Sequence, residues 1–247
     1  MITKEILLKT FNEVISKHSD FLYNIESTLK SITDSKEEYQ TLHDDIWRFW
    51  KQTKSIDHEQ LIMKGTDGTF FENINGEKHS VGFTDDMINF ANETLHNPMG
   101  EKLLYTMHNH PSGCCYPSME DLIQRSQSEE KYQIILSKDG LFISKKTGSS
   151  LDTNKLVKVY GMVDNMSRTK FSNQYSRQVH ELEEEYPSWF DTNSEDSKLY
   201  RDGVNQLYTE CNSKNLDTYV KKFNEKLHTK SRNVLLDVYH VKRSPRE

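Results

Sequence analysis

Only three cysteines, Cys114, Cys115 and Cys211, occur in 247 residues. So few, and an odd number, build no disulfide framework, and a reducing compartment is expected. No run approaches the roughly 18 apolar residues that span a bilayer. The opening Met1-Ile2-Thr3-Lys4-Glu5-Ile6 lacks the basic region, apolar run and small-residue cleavage site of a secretory leader. The expectation is a cytoplasmic protein with no membrane partner. Positive charge is not in excess either. Lys and Arg number 32 against 38 Asp and Glu, for a net charge of −6 and a pI of about 5.9. No global field draws nucleic acid, and a DNA or RNA partner is not expected. Apolar residues are scarce, at 34% with a mean hydropathy of −0.82. That implies a modest core carrying helices that are exposed or packed against a partner.

The first 53 residues have helical texture. Leu7, Phe11, Val14, Ile15, Phe21, Leu22, Ile25 and Leu29 recur mostly at spacings of three and four. The pattern breaks at Thr33-Asp34-Ser35, where Ser35 followed by Glu38 reads as a capping box for a second helix carrying Leu42, Ile46, Trp47 and Trp50. From about residue 56 the texture changes. Short strands are expected at Gln60–Met63, Thr69–Phe71 and His79–Phe83, separated by turn signals at Asp67-Gly68 and Asn75-Gly76. A helix over 84–97, a buried strand over Leu103–Met107, a helix after Pro117-Ser118 and a strand pair about Asp139-Gly140 follow. This mixture predicts an α/β or α+β core over 54–150, flanked by an N-terminal helical segment (1–53) and a C-terminal helical extension (151–247). Tyr200, Val204, Leu207, Tyr208 and Cys211 carry the last helical pattern, which Leu216, Val220, Phe223 and Leu227 continue. Pro187 to Ser194 is its clearest interruption.

Chemistry concentrates in one stretch, from His108-Asn109-His110-Pro111-Ser112-Gly113 to Pro117-Ser118-Met119-Glu120-Asp121. Two histidines separated by one residue point the same way on a strand, because side chains alternate with period two. Asp121 offers a carboxylate from the first turn of the next helix. Two His and one carboxylate leave a fourth tetrahedral position open, as a catalytic zinc site requires. Each piece has a plainer reading. A lone His-x-His is usually incidental, and Ser118-x-x-Asp121 is an ordinary helix start with a cap and a favourable acidic residue.

Together the pieces resemble the signature of the JAMM (MPN+) metalloproteases: His-x-His-Pro, six residues, then Ser-x-x-Asp. The longer His-Asn-His-Pro-Ser-Gly form is similar to the bacterial RadC-like and phage-associated branches. The resemblance covers roughly residues 56–146. It implies a JAMM/cytidine-deaminase-like core, a mixed β-sheet with packed helices. It also implies a zinc ion on His108, His110 and Asp121, and cleavage of a peptide or isopeptide amide, often beside a ubiquitin-like tail. The family has a glutamate on an early strand, and Glu59, 49 positions before His108, opens a segment that looks like it. Glu72 and Glu77 sit beside a turn and are expected to be solvated. In this resemblance Glu59 acts as general base, and the Ser118 hydroxyl donates to the oxyanion. Cys114 and Cys115 depart from the family's loop. They are read as buried spacers, a vicinal disulfide, or a thiolate closing the open metal position.

Two other readings compete with a zinc metallopeptidase. One is an assembly or binding module, phage- or bacteria-associated, that keeps the fold and engages a protein partner through its terminal helices. The other is a RadC-like role in DNA metabolism, which the acidic balance disfavours.

Overall fold

The structure, a computed structural model, describes residues 24–78, 80–96, 102–111, 116–137, 140–147, 152–228 and 236–242. The expected helical stripe from Leu7 to Leu22, His79 and the Cys114-Cys115 pair lie outside the described residues.

Residues 24–32 form α1 and Lys36–Thr53 form α2. The break between them falls where the sequence placed it. Ser35 is the N-cap, with the Glu38 amide donating to its hydroxyl oxygen at 3.1 Å. The second half of the expected capping box is replaced. The Glu38 carboxylate accepts instead from the Asp34 amide and from the Lys131 and Tyr132 side chains, which ties the start of the helix to the sheet. Leu42, Asp45, Ile46, Phe49 and Thr53 are buried, a stripe at helical spacing.

The sheet has six strands in the order β2-β1-β3-β4-β5-β6. They are β1 (Leu61–Gly65), β2 (Phe70–Asn73), β3 (Leu103–His110), β4 (Tyr132–Ser137), β5 (Gly140–Lys146) and β6 (Leu236–Lys242). β1 runs antiparallel to β2 and to β3, β3 is parallel to β4, and β4 is antiparallel to β5. The sheet is therefore mixed, and the general α+β class is as expected. Helix α3 (Asp85–His96) joins β2 to β3. The two faces of the sheet follow from alternation. Ile62, Tyr105, Met107, Ile134, Leu136 and Ile143 join α1 and α2 in one core cluster. Leu61, Met63 and Leu103 pack with Met87 of α3 in another.

The described chain groups into two compact units. One holds α1, α2, α3, β1 to β5, and β6 from Val238 onward. The other holds α4 (Met119–Gln127), α5 (Thr153–Glu185) and α6 (Glu195–His228). Within it α5 and α6 pair along their lengths. Ser167 donates to Tyr208 at 3.1 Å and Tyr200 donates to Glu183 at 3.4 Å. Pro187 to Ser194 makes the turn between them.

Two expectations need correction. The strand expected at 79–83 is not formed over its described residues. Ser80 makes a single bridge to Glu77, while Val81 and Phe83 are half-buried against the α3 cluster. The Gly82 carbonyl accepts from the Asn73 side chain at 2.8 Å. The C-terminal extension is also not helical throughout, since Leu236–Lys242 is a strand. Leu236 and Val238 alternate with half-buried Asp237, and Val241 joins the core, so burial rather than helix propensity decides there. Among the described residues no helix is long and apolar enough to cross a membrane.

Candidate metal centre

β3 runs longer than its apolar core suggested and carries both histidines at its end. Its register with β1 pairs His108 with Leu61 and Thr106 with Met63, which puts Thr106, His108 and His110 on the α3 face. His108 is 6% exposed and His110 half-buried. Their Nε2 atoms lie 3.1 Å apart, with the rings tilted at 54°. Two imidazole nitrogens at 2.0–2.1 Å from one tetrahedral ion stand roughly 3.3 Å apart. The pair is thus already spaced as two ligands of one ion. One pleat earlier on the same face, the buried Thr106 hydroxyl donates to the buried Glu130 carboxylate at 3.2 Å, a buried acid that the sequence did not bring forward.

Asp121 is the third residue of α4, a helix that packs on α5. Ser118 caps it in extended conformation, and the box is complete. The Asp121 amide donates to Ser118 Oγ at 3.1 Å, and the Ser118 amide donates to Asp121 Oδ2 at 2.7 Å. The plain helix-start reading of Ser118-x-x-Asp121 is therefore correct, and it is compatible with a second role. A carboxylate held by its own helix cap cannot swing, so its direction is fixed before any ligand arrives. The residue before the cap's proline is anchored as well. Tyr116 stacks on Tyr160 at 6.0 Å and meets Tyr219 edge-on at 6.4 Å. The Tyr160 hydroxyl is pushed up to about 12, first by burial and then by the nearby Asp164 charge, so this phenol stays neutral.

His108, His110 and Asp121 each offer one ligand atom, and these atoms all lie within 4.8 Å of one another. The group could hold a metal ion. The donor set, two imidazoles and a carboxylate, suits zinc or a similar divalent transition ion.

Glu59 immediately precedes β1 and is 8% exposed. Extending the β1 register one pleat puts it on the face of Leu61, and so of His108. Its amide donates to the Glu77 carbonyl at 2.7 Å. Glu72 and Glu77 are exposed, as expected. Sequence reasoning missed Asn109, the residue between the two histidines. It is 3% exposed, and its side chain is bonded to the main chain on both sides of Glu59. The alternation that aims the histidines one way sends Asn109 the other, and that signal was readable.

No protein-family model matches the chain, and no curated protein matches it.

Proposed function

We propose that this protein is a zinc-dependent hydrolase of peptide or isopeptide amide bonds, of the JAMM type. The observation that carries the reading is the convergence of His108, His110 and Asp121 within 4.8 Å, on residues that fill every fixed position of that signature. Zinc bound there would supply a Lewis acid and a water of lowered pKa. His108, His110 and the capped Asp121 would hold the ion, and a set of only three protein ligands would leave it open to the reacting groups. Glu59, buried at the head of β1, would be the general base, taking a proton from the attacking water on its carboxylate and returning it to the leaving amine. Ser118 Oγ accepts the Asp121 amide's bond, which leaves its hydroxyl hydrogen as a donor that would serve a developing oxyanion. The substrate class, a protein or peptide and in one form a ubiquitin-like tail, rests on the resemblance alone.

A second reading has its own observation. The turn between α5 and α6 exposes Phe190 at 73% and Trp189 at 38%, with Leu199 at 42% nearby. Exposed aromatics on a helical arm suit a protein-binding module.

Turnover separates the two readings. The zinc-loaded full chain is assayed on a panel of internally quenched peptides and lysine-isopeptide conjugates, beside Glu59→Gln. A hydrolase cleaves at least one probe and loses about 100-fold or more in the variant, which keeps its zinc. A binding module cleaves none, and Glu59→Gln changes nothing.

A further inference from the structure

We infer that Asn109 is the residue that positions Glu59 against the metal ligands, a role that rests on the hydrolase reading. Residues 58–60 lie just outside the β1 ladder, which begins at Leu61. They are held to β3 by Asn109. Its Oδ1 accepts the Gln60 amide at 2.7 Å, its Nδ2 donates to the His58 carbonyl at 3.1 Å, and its own amide donates to the Gln60 carbonyl at 3.3 Å. The two side-chain bonds straddle residue 59.

In an antiparallel pair that follows Leu61 and His108, Gln60 faces Asn109, and the two would exchange both main-chain bonds. Only one of those is made between backbones. The side-chain amide supplies the other, so pairing extends one residue past the end of the strand. A carboxylate that must reach a metal-activated water tolerates little error in position. Here the Glu59 backbone is fixed on both flanks by the residue lying between the two histidine ligands, so base and ligands share one short piece of backbone.

The opposite side is closed too. The Glu59 amide donates to the Glu77 carbonyl, and the turn carrying it comes so near that a Cβ on Gly76 would collide with the Glu59 carbonyl oxygen. Asn109 points away from the histidines and has no route into the metal's coordination shell. It acts through Glu59 and is a positioning residue.

The amide also fits better here than other side chains of its size. It must accept from one main-chain group and donate to another. Leucine does neither, and an ionised aspartate only accepts, setting a carboxylate against the His58 carbonyl. Removing both bonds strands the N–H of buried Gln60 and the C=O of half-buried His58.

The experiment uses the zinc-loaded full chain with Asn109→Leu, Asn109→Asp, Glu59→Gln and the Asn109→Leu/Glu59→Gln pair, on whichever probe of the panel the wild type cleaves. All four variants should keep the wild-type zinc content. In Asn109→Leu kcat should fall by about 100-fold, the share a correctly placed base supplies, while KM stays nearly level. Asn109→Asp should fall between it and the wild type, and the double variant should be no slower than Glu59→Gln alone. Wild-type kcat in Asn109→Leu, losses that multiply with Glu59→Gln, zinc lost together with activity, or both Asn109 variants unfolded would overturn the proposal. Amide exchange reads the clamp without turnover. The Gln60 amide should exchange about tenfold faster in Asn109→Leu while the β4 amides keep their protection. Unchanged exchange at Gln60 overturns the clamp. A wild type that cleaves nothing overturns the hydrolase reading, and with it the positioning role of Asn109, whatever the exchange shows.

Discussion

Ser118 and Asp121 cap each other, the serine amide on the aspartate oxygen at 2.7 Å and the aspartate amide on the serine hydroxyl oxygen at 3.1 Å. One serine thus starts a helix, orients a candidate metal ligand and presents a hydroxyl. Ser118→Ala removes all three. The cap alone should cost about 1 kcal/mol in thermal or urea unfolding. Turnover should fall by about 100- to 1000-fold, the share of one oxyanion donor. Ser118→Thr keeps the hydroxyl and should recover most of both. A variant with full activity would remove Ser118 from the mechanism.

Asp45 is the buried polar knot of the first unit. It accepts from Lys64 Nζ at 2.7 Å and from the Tyr105 hydroxyl at 2.9 Å, with Arg48 at 3.0 Å. Burial, and then the Asp45 charge, hold the Tyr105 hydroxyl far above its ordinary value, so it remains a donor. Asp45→Ala strands a buried phenol and a half-buried ammonium and should cost about 3 kcal/mol by urea unfolding. Asp45→Asn still accepts from Tyr105 and should cost less.

The Asp34 carboxyl is held down at about 2, from an ordinary 3.8, by hydrogen bonds from Lys131 and then Lys145. A depressed carboxyl contributes stability above its unfolded value and loses it as pH falls through the folded one. The contribution is therefore present above about pH 4 and lost between there and pH 2. Asp34→Asn should flatten that part of a stability-against-pH curve. The Asp34 side chain is 63% exposed, so the effect is small and should fade in high salt.

Much of this was legible in the sequence because each signal was local. Ser35 and Ser118 cap where the spacing said, and His-x-His lies on a strand because period two demands it. Gly68, at a φ of 90°, sits in the turn that Asp67-Gly68 announced. What was not legible was long-range. Val81 and Phe83 look like strand residues until α3 supplies a surface for them. β6 is a single strand far from its neighbours in the chain, and no turn signal pairs it with one. Asn109 reads as a spacer until the register lays β1 beside β3 and brings Gln60 opposite.

The most direct test of the metal centre is elemental analysis of purified protein, wild type beside His108→Ala and Glu59→Gln. The structural account predicts about one zinc per chain in the wild type, its loss in His108→Ala and its retention in Glu59→Gln. No divalent metal in the wild type after reconstitution, or equal metal in His108→Ala, would contradict it.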